Sequence, residues 1–316
     1  MKPKIFIDGE VGTTGLQIRE RLAGRADIEM LSIDPARRKD DTARADKLNG
    51  ADIVILCLPD DAARAAVKLI TNPAVRVIDA STAHRTADGW TYGFPELSRH
   101  HRQEIAAAQR VTNPGCWATG ATALIRPLVD AGLLASDYPV TIGGISGYSG
   151  GGKAMIAEFE DKNDPTYTTV PYRIYGLDLR HKHVPEIQKY ARLGVRPLFT
   201  PAVGRYAQGM IVEVPLYLSL LSGKPTAADL HRVIADAYSG AAFIEVVPLS
   251  ASRTMKTLTP EDLNGSNRMK LFVFASEAGD QVRLAALLDN LGKGASGQAV
   301  QNMNIMLGFP ETTALG

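Results

Sequence analysis

Residues 4–22, KIFIDGEVGTTGLQIRERL, decide the fold. Ile5, Phe6 and Ile7 form a short apolar run that reads as a buried strand. Gly9, Gly12 and Gly15 follow at once, and Leu16, Ile18 and Leu22 then recur at helical spacing. Strand, glycine turn and helix in that order can cradle a pyrophosphate, because glycines let the backbone approach the phosphates and the helix N-terminus offers unpaired N–H groups. The spacing is GxxGxxG rather than GxGxxG, and such turns often only shape the chain, so context must carry the reading. A second strand over 30–33 ends at Asp34, a third covers 53–58, helical spacing fills 62–70, and a fourth strand covers 75–78. The alternation predicts an α/β chain built on a doubly wound parallel sheet. Gly9, Gly12, Thr13, Thr14 and Gly15 are then the phosphate-side candidates.

The choice between NAD and NADP stays open on spacing alone. Asp34, an acid at the end of the second strand, would bond a ribose hydroxyl and repel a 2′-phosphate. Arg37, Arg38 and Lys39 follow within five residues and could hold that phosphate.

The chain of 316 residues is longer than one typical core supports and predicts two domains. Lys and Arg number 35 against 34 Asp and Glu, with no long single-sign run, so neither nucleic acid nor a charged membrane surface is indicated and a small molecule is the expected partner. Two cysteines cannot make a disulfide framework, and Cys57 lies in the apolar run 53–58 as a core residue would. The N-terminal apolar run is too short for a signal peptide, and no stretch approaches a membrane span. A cytoplasmic protein is expected.

Residues 111–132, VTNPGCWATGATALIRPLVDAG, place Cys116 where a helix begins. Pro114 and Gly115 break what precedes, and Trp117, Ala121, Leu124, Leu128 and Ala131 hold helical spacing until Gly132. First-turn N–H groups favour thiolate over thiol, so Cys116 is the candidate nucleophile, against the alternative of a small buried hydrophobe.

In residues 180–186, RHKHVPE, His181 and His183 are expected on one side just before a helix opening at Pro185, with Glu186 close by. Without a further His or Cys cluster this is a poor metal set, and a general acid or base is the better reading. Residues 142–153, IGGISGYSGGGK, imitate a P-loop, but Ala154 stands where Ser or Thr should ligate magnesium. Ser146, Ser149 and the glycines read instead as a donor-rich loop for a carboxylate or phosphate. Arg85, in DASTAHR after the fourth strand, is a candidate for an oxyanion group. Apolar runs over 210–218, 269–276 and 282–288 predict a mixed sheet with helices, and Ser296 is expected to N-cap a last helix that stops at Gly308.

Taken together, the glycine turn, YGFPEL (92–97), NPGCWAT (113–119), HKHVPEI (181–187) and KGASGQAVQN (293–302) resemble the N-acetyl-gamma-glutamyl-phosphate reductase family in its shorter, second subtype, and the resemblance covers the whole chain. It implies a Rossmann-type domain over 1–115 completed by 297–316, and an α+β catalytic and dimerisation domain over 116–296. It implies an NADP-dependent enzyme of arginine biosynthesis acting as a homo-oligomer, dimer or tetramer. By position Cys116 matches the nucleophile and His181 the acid/base. Tyr175, His183 and Glu186 match residues lining the same site, Arg85 a phosphate-contacting arginine of the broader semialdehyde dehydrogenase group, and Asn302 falls at the cofactor.

The chemistry so implied converts N-acetyl-L-glutamyl 5-phosphate to N-acetyl-L-glutamate 5-semialdehyde through a Cys116 thioester, with His181 taking the thiol proton and returning one to the oxyanion. Three rivals stand beside it: an aspartate-semialdehyde dehydrogenase of the same chemistry, a P-loop hydrolase, and a catalytically silent dinucleotide-binding sensor.

Overall fold

The computed structural model describes residues 1–315, which form two compact units. The first unit holds residues 1–95, 100–114 and 295–315, and the second holds 96–99 and 115–294.

In chain order the first unit runs β1 (Lys4–Asp8), α1 (Thr13–Leu22), β2 (Glu29–Leu31), α2 (Asp41–Gly50), β3 (Ile53–Leu56), α3 (Asp60–Leu69), β4 (Arg76–Asp79), β5 (Thr91–Tyr92), α4 (His101–Ala107) and β6 (Arg110–Thr112). All six strands are parallel, in the order β2-β1-β3-β4-β6-β5. The chain leaves β1 toward β2 on one side and returns to β3 on the other, so the strand order reverses at the C-terminal ends of β1 and β3. That reversal leaves the crevice where open α/β sheets bind ligands. β3 is buried along its whole length, as the continuous apolar run requires of a strand covered on both faces. Among the helices, α2 is started by Asp40, whose carboxylate accepts from the N–H groups of Thr42 and Ala43.

The second unit runs α5 (Cys116–Asp130), β7 (Thr141–Gly147), α6 (Gly152–Glu160), β8 (Tyr172–Ile174), α7 (His183–Tyr190), β9 (Leu198–Gly204), β10 (Met210–Tyr217), α8 (Ala227–Ala237), β11 (Ile244–Val246), α9 (Leu249–Thr254), β12 (Met269–Ala275) and β13 (Gln281–Leu288). Its sheet is mixed, in the order β11-β12-β13-β10-β7-β9-β8. Residues 117–128 of α5 are all buried. A helix buried on every side belongs in a core, and α5 packs on β10, β13, α7 and α8. The last helix, α10 (Gly297–Leu307), closes the first unit and ends at Gly308, whose φ of 74° is the left-handed stop expected of glycine. Among the described residues no helix is long and apolar enough to cross a membrane.

Three local expectations change. The second strand ends at Leu31, and Asp34 lies beyond it as the cap of a short 3₁₀ turn, with Oδ1 accepting from Ala36 N–H. Helix α7 opens at His183 rather than Pro185, because proline is tolerated anywhere in a first turn that needs no N–H from it. Ser296 takes the N-cap position of α10, but its side chain does not cap. A π-helical turn over Gly292–Ser296 precedes α10, so Ser296 already has helical dihedrals, and its hydroxyl accepts from Arg21 Nε and donates to Gln17 instead.

The second unit also buries an ion pair that composition does not reveal. Lys293 Nζ meets Glu96 Oε1 at 2.7 Å, with side-chain exposures of 0% and 7%. Removing one member of such a pair strands the other charge in low dielectric. Lys293→Met is expected to lower unfolding stability by about 3 kcal/mol or more in urea titration, and Lys293→Met/Glu96→Leu by less than the single change.

Candidate active site

The nucleophile turn is fixed from two directions. Gly115 is extended (φ −82°, ψ 151°) and Cys116 is the first residue of α5. From α7, the fully buried Glu186 accepts the Gly115 N–H at 2.9 Å. From the π-helical turn, Gly294 comes so close to the cysteine that a Cβ there would lie 2.6 Å from Cys116 Cβ. Only glycine lets that backbone pass.

A cavity of about 220 Å³ opens over Cys116, lined also by Trp117, Ser146, Met155, Tyr175, His181, Lys182, His183 and Val203. The rings of His181 and His183 stand 4.8 Å apart, and those of Tyr175 and His181 stand 5.8 Å apart. The backbone N–H of His183 donates to His181 Nδ1 at 3.2 Å, so Nδ1 accepts and the neutral ring carries its proton on Nε2. His181 therefore rests as a donor, and its expected role as base toward the thiol belongs to the other tautomer. Burial pushes the Tyr175 phenol well above its usual range, and the nearby Cys116 charge adds to this while a hydrogen bond from Trp117 opposes it. Tyr175 keeps its proton at neutral pH and stays a donor.

Of the residues the sequence offered for the substrate, Ser146, Tyr175 and His183 line this cavity, whereas Glu186 and Ser149 do not. Glu186 holds the turn, and the Ser149 hydroxyl accepts from Asn290 Nδ2 at 3.0 Å behind the loop. Arg85 belongs to the first unit, where it is buried and its Nε donates to the Asn113 carbonyl at 3.2 Å. Sequence reasoning passed over Lys182, whose only signal was its place between two candidate histidines. It also passed over Gly294 and Asn290, whose roles depend on contacts distant in the chain.

In the first unit a cavity of about 550 Å³ lies against the end of β1. Gly9 has φ 90°, and a Cβ there would lie 2.3 Å from the Cys57 carbonyl oxygen. Gly12 is the N-cap of α1, and Thr13, Thr14 and Gly15 make its first turn. Positive φ, a helix start aimed at the turn and a crevice at the strand reversal together fit the pyrophosphate of a dinucleotide. Gly9 and Arg38 line the cavity; Asp34 and Arg37 do not. Asp34 is spent on its turn, and the exposed Arg37 is bonded to Asp40 at 3.0 Å. Arg38 meets Glu10 at 2.8 Å, and Arg44, absent from the sequence reading, holds the buried Asp8 at 2.8 Å. Asn302 is fully buried in α10, where its Nδ2 donates to the Gly93 carbonyl and to Asn113 Oδ1. Its Oδ1 has no hydrogen-bond partner among the described residues, an acceptor left over for an amide or hydroxyl donor.

Residues 11–105 match the semialdehyde dehydrogenase NAD-binding domain, and residues 116–290 match the semialdehyde dehydrogenase dimerisation domain. The chain belongs to the semialdehyde dehydrogenase family. Within that family, proteins named N-acetyl-gamma-glutamyl-phosphate reductase from Brucella ovis and Brucella canis are each 58% identical to it over 309 residues, 98% of this chain and 100% of theirs. Among solved structures, aspartate semialdehyde dehydrogenase II from Vibrio cholerae superposes with a TM-score of 0.70 at 17% identity, covering 97% of this chain and 98% of that one. The Francisella tularensis aspartate semialdehyde dehydrogenase gives 0.70 at 15% identity, covering 97% and 100%. At such identity these two establish the semialdehyde dehydrogenase fold, which the parallel and mixed sheets reproduce.

Two outcomes are expected at the nucleophile. Iodoacetamide should modify Cys116 in preference to Cys57, whose thiol is pushed far up by burial and by the charges of Asp79 and Asp8. Mass mapping of the alkylated peptides measures this. Gly294→Ala should displace Cys116 and slow its alkylation by about tenfold while dinucleotide binding, read by fluorescence, is retained.

Proposed function

We propose that this chain reduces N-acetyl-L-glutamyl 5-phosphate to N-acetyl-L-glutamate 5-semialdehyde and phosphate, the step of arginine biosynthesis for which its Brucella relatives are named. The observation that carries the reading is one cavity in which Cys116, at a helix start, faces His181, His183 and Tyr175. An acyl phosphate is an activated carbonyl, and a thiolate at a helix N-terminus is the nucleophile suited to it.

Cys116 attacks the acyl carbon, a C–S bond forms, and the C–O bond to phosphate breaks, leaving a thioester. Negative charge gathers on the carbonyl oxygen, and His181 Nε2–H and the Tyr175 hydroxyl are the donors available to it. A bound nicotinamide dinucleotide supplies hydride to the thioester carbon. The same donors serve the second oxyanion, whose collapse expels the Cys116 thiolate and releases the aldehyde. Because the thiolate both enters and leaves, His181 need not carry the thiol proton in this sequence. Lys182 is the one lysine or arginine lining the cavity among the described residues and serves the anionic substrate. NADP is the proposed dinucleotide, because the carboxylate that would oppose a 2′-phosphate, Asp34, is turned into its own backbone while Arg38 faces the cleft. A nucleophilic thiol outside any disulfide suits a reducing cytoplasm. Tyr172, Ile174 and Leu177, each more than half exposed in the unit that matches a dimerisation domain, suit a homo-oligomer.

The deciding experiment is phosphate-dependent oxidation of the acetylated five-carbon semialdehyde and of aspartate semialdehyde, each with NADP and NAD. Turnover of the acetylated substrate with NADP is expected. Preference for aspartate semialdehyde would replace this reading with the aspartate-semialdehyde dehydrogenase alternative, and no turnover would leave a sensor. Cys116→Ser should bind dinucleotide and lose turnover. His181→Ala, which removes the Nε2–H donor, should lower kcat by about two to three orders of magnitude with dinucleotide affinity held, and the same loss in His183→Ala with a mild His181→Ala would exchange the two rings' roles.

A further inference from the structure

The glycine turn carries an acid where an anion is to be bound. Glu10 directly follows Gly9, and its carboxylate is 15% exposed. One oxygen takes Arg38 Nη2 at 2.8 Å and the other takes Arg19 Nη1 at 3.4 Å. With two guanidinium partners the carboxylate is charge-compensated, and it acts on an incoming ligand chiefly through the arginine it holds.

The basic residues around the cleft are not equivalent. Arg37 is 56% exposed, bonded to Asp40 and outside the cleft. Arg44 is committed to Asp8 and Asp41. Lys39 lines the cleft as a point charge, whereas Arg38 lines it with its guanidinium held by Glu10 of the turn, and it is incompletely satisfied. Its Nε is buried and has no hydrogen-bond partner among the described residues, while the neighbouring Nη2 is held by Glu10. Nε and Nη2 form the side of a guanidinium that a phosphate takes with two oxygens, and here one of those two donors is idle.

We propose that Glu10 is the cofactor selector of this cleft. It holds Arg38 across the glycine turn and yields it to the 2′-phosphate of NADP, keeping Arg19 as its own counter-ion. A dinucleotide without the 2′-phosphate binds with the Glu10–Arg38 pair intact and gains nothing from the idle donor. The inference rests on NADP being the cofactor and adds which residue reads the phosphate and which one opposes it.

The test is calorimetric titration of the full chain with 2′,5′-ADP and with 5′-AMP, for the unmodified protein, Glu10→Gln, Arg38→Ala, the double variant and Arg37→Ala. The unmodified protein should prefer 2′,5′-ADP. Glu10→Gln should tighten 2′,5′-ADP by about three- to tenfold and 5′-AMP by less than about twofold, since the released arginine serves only the ligand with the extra phosphate. Arg38→Ala should abolish the preference, Glu10→Gln should restore none of it in the double variant, and Arg37→Ala should change little. Equal tightening of both ligands, a Glu10→Gln gain that survives without Arg38, or loss of preference in Arg37→Ala would overturn the assignment. An unmodified protein with no preference for 2′,5′-ADP would strike down the NADP reading instead. The selector role would then stand only if Glu10→Gln creates a preference that needs Arg38, and otherwise falls with it.

Discussion

The site depends on one buried hydrogen bond, from the Gly115 N–H to the Glu186 carboxylate. Gly115 is the residue that launches α5, and Glu186 lies one turn into the helix that begins at His183. The bond therefore ties the backbone beside the thiol to the helix that opens at His183, two residues after His181. Glu186 has no exposed surface, so water cannot take over the N–H if the carboxylate moves. The packing of α5 against α7 gives this bond its setting, and the close approach of Gly294 to Cys116 Cβ adds a second contact beside the thiol. A nucleophile positioned in this way meets its substrate without first paying to be ordered.

The same geometry explains why the histidines differ. His183, as the first residue of α7, has a backbone N–H that no intrahelical carbonyl can take, and it finds the His181 ring instead. One orphan donor of a helix start thus selects the tautomer of the neighbouring imidazole. His183 itself is buried and contributes its ring to the same wall of the cavity. The chemistry asked of the two rings follows from where α7 begins.

The fold was legible because it is written in short-range pattern. The run Ile5–Ile7, the glycines that follow and the apolar segments near 53 and 76 have the right periods, and β1, β3 and β4 form within a residue or two of the expected places. Cys116 was legible because Pro114 and Gly115 must interrupt whatever precedes a helix start. Asp34 and the arginines were visible as residues but not as partners. Whether Asp34 faces a ribose or its own turn depends on a strand that ends two residues earlier than its apolar pattern, and whether Arg38 faces solvent or Glu10 depends on a contact 28 residues away. The family match puts Glu186 among the residues lining the site, and its position within a helical turn directs it to the Gly115 N–H. Gly294, Asn290 and the Lys293–Glu96 pair left no local signature, because each acquires its meaning from a segment far away in sequence.

The central claim is that Cys116 carries the acyl group between two half-reactions, and the most direct test separates them. Mixed with N-acetyl-L-glutamyl 5-phosphate in the absence of any dinucleotide, the protein should release a burst of about one phosphate per subunit and gain the mass of one acyl group on the peptide containing Cys116. Later addition of the reduced dinucleotide should discharge that label as aldehyde. A protein that releases no phosphate until the dinucleotide is present, or that carries the acyl group on another residue, would contradict the account.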